Sequence, residues 1–292
     1  QGIREAANSI GQLTGHEIPM NLTTSSMNRM AFTTREPVGV VAAVSAFNHP
    51  FNLIVHQVIP GVAVGCPVIV KPALITPLSC LNLVNCLYEA GLPKEWVQVA
   101  ICENSLAEKI VTDPRVSFLT FIGSGKVGWG LRSKLAPGVR CALEHGGAAP
   151  VIVEADADID DALPLLAKGG FYHAGQVCVS VQRVFVHEEI EEEFSSKLAD
   201  IAGKLVVGDP VDEKTEVGPL IQEREVERIH KWVEEAKAGG GKILTGGKKI
   251  GKTCYEPTVI LNPPYDANVS QCEIFGPVIN IYSYKNRADA IR

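Results

Sequence analysis

The sequence predicts an α/β protein, a doubly wound parallel sheet covered by helices and followed by a second α/β domain. Three observations carry this. Short runs of β-branched and other apolar residues alternate with longer amphipathic stretches. Within the short runs, as in Val68-Ile69-Val70, neighbouring positions are all apolar, the mark of strands buried on both faces in a parallel sheet. Gly146-Gly147, with Pro150 close behind, breaks the alternation. A chain of 292 residues has room for two domains, expected at 1–147 and 148–292.

In chain order, residues 1–15 read as the end of a helix, and 28–36, polar and β-prone, as a hairpin arm. Strands are then expected at 38–44, 68–71, 96–100, 116–122 and 139–143. Helices are expected between them at 51–64, 78–90, 105–111 and 126–135. The second pattern places strands at 151–153, 182–186, 242–244, 258–261 and 279–284. Its helices are expected at 159–171, 188–205 and 226–238, with another starting at 287.

The apolar fraction of 46% is enough for a sizeable core, and 21% charge is ordinary for a globular chain. A net charge of −6 without a basic stripe argues against a nucleic-acid partner. The longest apolar stretch, 58–70, is broken by Pro60, Gly61, Gly65 and Pro67 and is too short to span a bilayer. The chain opens on Gln1 and shows no leader pattern in residues 1–30, so the expectation is a segment that starts within a longer protein. None of the eight cysteines sits at CxxC spacing, which argues against a zinc site, and no other metal site is expected. Several lie in apolar segments, as buried free thiols do, and most are expected to be buried small hydrophobes in a reducing, cytoplasmic compartment.

A few residues could carry chemistry. Gly123-Ser124-Gly125-Lys126-Val127-Gly128 fits GxGxxG between an expected strand and helix. Such a turn lets backbone approach a pyrophosphate at a helix N-terminus, although a plain tight turn reads the same way. Lys71 closes a strand and would face the ligand crevice of a doubly wound sheet. Glu144 ends a strand before His145-Gly146-Gly147; in an ordinary dinucleotide fold it would hold the adenosine ribose. Cys178 follows Gly175-Gln176-Val177 at a helix-to-loop junction. His173, five residues away, does not face it on a helix. A cysteine hydrolase or acyltransferase and a non-catalytic dinucleotide-binding module both stay open as alternatives.

Six segments taken together resemble the aldehyde dehydrogenase superfamily, from about Pro37 to Val278. They are Ala46-Phe47-Asn48-His49-Pro50-Phe51, Val70-Lys71-Pro72-Ala73, Phe121-Ile122-Gly123-Ser124, Leu143-Glu144-His145-Gly146-Gly147, Gly175-Gln176-Val177-Cys178 and Glu273-Ile274-Phe275-Gly276-Pro277-Val278. The resemblance implies a Rossmann-like cofactor domain that binds NAD or NADP, a catalytic domain, and oxidation of a small aldehyde to its acid. It implies that Cys178 is the nucleophile, that Asn48 and the Cys178 backbone N–H stabilise the oxyanion, and that Glu144 activates the hydrolytic water. Lys71 would bind the adenosine ribose, with Leu74 nearby and Val127 near the adenine. Gly123 and Ser124 would sit by the pyrophosphate, Glu273 on the nicotinamide ribose and Phe275 by the nicotinamide; Ser45 and Phe47 join the cofactor-binding set.

Three positions depart from the family pattern. His145 stands where leucine is usual, Phe47 where tryptophan is usual, and Leu74 where NAD-preferring members often carry glutamate. The segment 175–183 looks like that of members acting on lactaldehyde-, glyceraldehyde- or semialdehyde-like substrates. Compared with the family, both ends are missing, and the full-length protein is expected to be a homodimer or homotetramer.

Overall fold

Ten strands, most of them largely apolar, pair into two separate five-stranded sheets. The computed structural model describes residues 1–292. Two compact units divide it, Gln1–His145 and Gly146–Arg292.

The first unit begins with α1 (Gly2–Ser9) and a small antiparallel pair, β1 (Glu17–Ile18) with β2 (Ala31–Phe32). Then come β3 (Val40–Val44), α2 (Pro50–Ala63), β4 (Val68–Lys71), α3 (Leu78–Glu89), β5 (Val97–Val99), α4 (Asn104–Val111), β6 (Val116–Gly123), α5 (Gly125–Arg132) and β7 (Arg140–His145). The large sheet runs β5-β4-β3-β6-β7 and is parallel throughout. Alternate β3 residues feed opposite cores. Val41 and Ala43 join Ile54, Val58, Leu83 and Val70 on one face, whereas Ala42 joins Val111, Leu119 and Leu131 on the other. That is why the strand carries no polar position. The chain moves outward from β3 to β5 and then returns to pair β6 on the other side of β3. The loops after β3 and β6 therefore diverge above their carboxyl ends, leaving the crevice where open α/β sheets bind ligands.

The second unit comprises β8 (Pro150–Val153), α6 (Ile159–Phe171), β9 (Arg183–His187), α7 (Glu191–Lys204), α8 (Glu223–Ala238), β10 (Lys242–Thr245), β11 (Lys249–Ile250), β12 (Cys254–Tyr255), β13 (Thr258–Leu261), α9 (Asn268–Gln271), β14 (Val278–Tyr284) and α10 (Arg287–Ile291). Its sheet runs β10-β13-β14-β9-β8, parallel except for the antiparallel edge strand β10. One continuous core, including Phe194, Leu198, Ile229, Val233, Ile260 and Ile281, fills this unit. Asp158 caps α6 by accepting from the Asp161 N–H at 3.1 Å. No helix is long and apolar enough to cross a membrane.

Several element boundaries differ from expectation for local reasons. The helix expected at 188–205 starts at Glu191, because Ile190 N–H bonds the His187 carbonyl and spends those residues on a turn. The helix expected at 126–135 stops at Arg132, ahead of Pro137 and left-handed Gly138. Only Ala31–Phe32 of the expected arm is strand, and its partner lies at Glu17–Ile18.

Leu198 lies on α7 and has no exposed surface. Leu198→Ala is expected to cost about 2–5 kcal/mol. The measurement is the urea midpoint at unchanged slope; a loss well under 1 kcal/mol would contradict the core assignment.

Candidate active site

At the carboxyl edge of the first sheet, backbone direction is fixed by strand pairing and by one buried amide. Gln57 on α2 donates from Nε2 to the Val44 carbonyl at 3.0 Å and the Thr120 carbonyl at 3.1 Å. It thereby ties the end of β3 to β6. Ser45 N–H bonds the Lys71 carbonyl at 3.0 Å. Ser45 and Asn48 are buried, Phe47 is half-buried, and His49 caps α2, whose first residue is Pro50. A proline there loses no hydrogen bond and presets the helical φ.

Lys71 is buried, and its Nζ donates to the Asn104 side-chain oxygen at 3.3 Å, with no salt bridge. An ammonium has three donors, so this one keeps capacity for an anion or hydroxyls. Leu74 is exposed three residues on. Gly123 closes β6, and Ser124 caps α5 in extended conformation without a side-chain cap bond. The N–H groups of Val127 and Gly128 both turn back to the Ser124 carbonyl. Val127 is half exposed. Glu144 lies one residue from the end of β7, exposed, and pairs in register with Ile122.

In the second unit, Cys178 is exposed on the loop after α6. Three consecutive left-handed residues precede it: His173 (φ 56°), Ala174 (φ 54°) and Gly175 (φ 68°). For His173 and Ala174 this backbone is costly. What holds the turn is contact. A Cβ on Gly175 would lie 2.0 Å from the Gly276 carbonyl oxygen, so the two backbones touch where only glycine fits. Gln176 is buried; its Nε2 donates to the His173 carbonyl at 3.2 Å and the Pro219 carbonyl at 3.3 Å, and its Oε1 accepts from Ile221 N–H at 2.9 Å. Beyond Cys178, Val181 N–H returns to the Gly169 carbonyl at 3.1 Å.

The loop bearing Glu273 and Phe275 is held with equal care. Gln182 is buried and donates to the carbonyls of Val269 at 3.0 Å and Cys272 at 2.7 Å, while accepting from Ile274 N–H at 2.8 Å. Arg228 donates to the Ile274 carbonyl at 2.7 Å. Phe275 is left-handed at φ 51°. Glu273 packs its carboxylate over Gly146, where a Cβ would lie 1.6 Å from Oε1, and that buried oxygen has no hydrogen-bond partner. Burial pushes the Glu273 carboxyl up, and the charge of Arg228 partly offsets this. A buried acceptor without a donor is a place for a ligand hydroxyl.

The expectation that most cysteines are buried is corrected. Only Cys66 and Cys80 are buried; Cys86 and Cys272 are exposed like Cys178, and the remaining three are intermediate. Apolar sequence neighbours do not bury a thiol that lies on the solvent side of its helix or loop. Burial pushes the Cys80 thiol up to about 11 and also raises that of Cys254, which makes a thiol less reactive.

Within each unit the expected residues gather in one region. Ser45, Phe47, Asn48, Lys71, Gly123, Ser124 and Glu144 follow or close strands at one sheet edge, and Cys178 shares its glycine contact with the loop of Glu273 and Phe275. Sequence reasoning passed over Gln57, Gln182 and Gly276. The available signal was a glutamine inside an otherwise apolar element, which is rare unless its amide is satisfied.

The model of a known family, the aldehyde dehydrogenase family, matches residues 1–292. The 3-sulfolactaldehyde dehydrogenase of Priestia aryabhattai is 42% identical over 281 residues, 96% of this chain and 58% of that protein. The crystal structure of aldehyde dehydrogenase 21 from Physcomitrella patens, in complex with the reaction product succinate, superposes with a TM-score of 0.95 at 38% identity, over 99% of this chain and 60% of that one. A glyceraldehyde-3-phosphate dehydrogenase of Methanocaldococcus jannaschii, complexed with NADP, gives 0.92 at 36% identity, over 99% of this chain and 63% of that one. The chain thus spans about three fifths of the length of these relatives.

The glycine contact yields a test. Gly175→Ala is expected to destabilise by more than the roughly 1–2 kcal/mol that a left-handed side chain costs alone, because its Cβ meets backbone. Gly251→Ala, left-handed at φ 59° with nothing within 4 Å, is the control and should show only the smaller loss. Equal losses in denaturant titrations would remove the contact argument.

Proposed function

The chain belongs to the aldehyde dehydrogenase family, and on that premise we propose that the protein oxidises a small aldehyde to its carboxylic acid through Cys178, with NAD or NADP. The observation that carries this is the exposed Cys178 at the end of a strained turn, locked by glycine contact to the loop of Glu273 and Phe275. A structural cysteine needs no such support.

The first unit has open polar capacity where a dinucleotide fits: buried Lys71 without a counter-ion, and the buried Ser45 hydroxyl without a partner. In the second, Glu273 offers its unpartnered oxygen. Lys71, Ser45, Leu74 and Val127 take the adenosine end, Gly123 and Ser124 the pyrophosphate, and Phe47, Glu273 and Phe275 the nicotinamide end. When bound, the nicotinamide supplies the hydride acceptor.

In the proposed reaction the Cys178 thiolate adds to the aldehyde carbon and forms a thiohemiacetal, its charge on the former carbonyl oxygen. The Asn48 amide and the Cys178 backbone N–H donate to that oxygen; losing one such donor costs about 2.7–4 kcal/mol in the barrier. Loss of hydride leaves a thioester on Cys178. Glu144 takes a proton from water, the resulting hydroxide adds to the thioester carbon, and the C–S bond breaks to release the acid and the thiolate. Exposure of Glu144 suits a base that draws on bulk water.

Small substrates with an anionic group are the favoured class. Relatives at 36–42% identity are named for sulfolactaldehyde and glyceraldehyde-3-phosphate, or hold succinate, whereas a betaine aldehyde dehydrogenase, named for a cationic aldehyde, is 33% identical.

Cys178→Ser is expected to abolish aldehyde-dependent NAD(P)H formation while cofactor binding persists, since a serine hydroxyl is hardly ionised at neutral pH. Glu144→Gln should give one burst of NAD(P)H per site and then slow turnover. A normal steady state with only a raised cofactor KM would instead make Glu144 a ribose ligand. Near-normal turnover in Cys178→Ser would remove the nucleophile.

Leu74 generates a cofactor prediction. A glutamate there would grip ribose hydroxyls and repel a 2′-phosphate; leucine does neither. Both cofactors should therefore serve in a panel of short anionic and long apolar aldehydes, with kcat/KM highest for the former. A native preference for NAD beyond about a hundredfold, or a Leu74→Glu variant that does not shift toward NAD, contradicts this.

A further inference from the structure

His145 follows Glu144 and closes β7, paired in register with Gly123 at the end of β6. Its ring does not point to open solvent. A Cβ on Gly128 would lie 2.2 Å from His145 Nε2 and 3.0 Å from both His145 Cδ2 and Phe121 Cδ1, so the imidazole, with the Phe121 ring beside it, fills the notch that this glycine leaves in α5. Trp129 meets the ring edge-to-face at 5.3 Å and 66°, and Phe121 does so at 6.2 Å and 71°. Gly125 borders the other side, its added Cβ 3.7 Å from Nδ1. Nε2 is buried and has no hydrogen-bond partner. Burying an unpaired ring nitrogen is unfavourable, so the ring sits there on shape and aromatic contact.

We infer that His145 is a positioning residue: its imidazole, seated in the Gly128 notch, couples the glycine-rich helix α5 to the strand end that carries Glu144. This rests on the reading of Glu144 as the deacylation base. The coupling follows from geometry. Glu144 and His145 are consecutive on a strand, so their side chains leave on opposite faces. Fixing one ring against α5 fixes the backbone from which the neighbouring carboxylate projects. The same contact sets how closely α5 approaches the ends of β6 and β7, and so the height of the Ser124–Gly125 turn above the sheet. Both ends of the proposed chemistry, pyrophosphate binding and water activation, are then tuned by one side chain that touches neither.

The test is a double-mutant cycle in the whole enzyme. Gly128→Ala should lower the thermal midpoint by forcing the imidazole out. His145→Ala should slow deacylation by about tenfold, seen as a new NAD(P)H burst with an unchanged single-turnover rate, and raise the NAD dissociation constant by several-fold. Gly128→Ala should cost far less in the His145→Ala background than in the native enzyme, because only the 3.0 Å approach to Phe121 Cδ1 then remains. His145→Gln, whose amide reaches a similar depth, should remove most of the burst. Additive midpoints overturn the notch. A lowered midpoint without a burst leaves only packing and overturns the positioning role. Glu144→Gln is run alongside. If it bursts while His145→Ala does not, the positioning role falls alone. If neither bursts, the base reading has failed and this proposal falls with it.

Discussion

The closest backbone-to-backbone constraint at a glycine of the second unit is the touch of Gly175 against Gly276. No side chain fits at Gly175, and the residues on either side follow from that. His173 and Ala174 accept left-handed backbone to deliver Gly175 to the contact, and Phe275 accepts it on the opposite loop. Strain of this kind persists only where its surroundings over-determine it. Here the surroundings are the three hydrogen bonds of the Gln176 side chain and the packing of Gly170 on Ile279. Cys178 can therefore be exposed and still fixed. Its position is inherited from backbone two loops wide and does not depend on burial of its own side chain.

Glutamine amides supply the second level of order. Gln57 in the first unit, and Gln176 and Gln182 in the second, each bond main-chain groups of segments distant in sequence. Each lies in a buried position where an unpaired amide is costly; Gln176 and Gln182 pair both ends of theirs, whereas Gln57 pairs its nitrogen and leaves its buried Oε1 without a partner. A primary amide donates and accepts, so it can clamp loops that present both carbonyls and N–H groups. An apolar residue of the same size would fill the space and leave those groups unpaired. Asn280 extends the pattern beneath α9, donating to the Val269 carbonyl that Gln182 also engages.

Much of the architecture was legible because its cause is local. Strands 68–71 and 258–261 and the helix 159–171 coincide with their expected bounds, since periodicity and flanking Pro, Gly or Asp fix each one. The family resemblance followed from short motifs in order, most of whose residues stand at strand ends or on the loops that carry Cys178 and Glu273. What was not legible depends on partners far along the chain. The pairs β1–β2 and β11–β12 have two residues per strand and leave no period to read. The notch for His145 requires knowing that Gly128 faces β7. The solvent side of Cys86 and Cys272 depends on which face of each element is covered.

The strand order of the second sheet has a consequence for how this unit assembles. β14 is its central strand, yet it is nearly the last element of the unit in sequence, pairing Asn280 with Arg183. Its two neighbours, β13 and β9, do not pair with each other. As the chain leaves the ribosome, β8 and β9 can associate first, and β10 with β13 later, but the halves stay separate until β14 threads between them. Closing a parallel contact across roughly a hundred residues is entropically slow. Meanwhile both halves present an unpaired apolar edge, the feature that chaperones exist to shield.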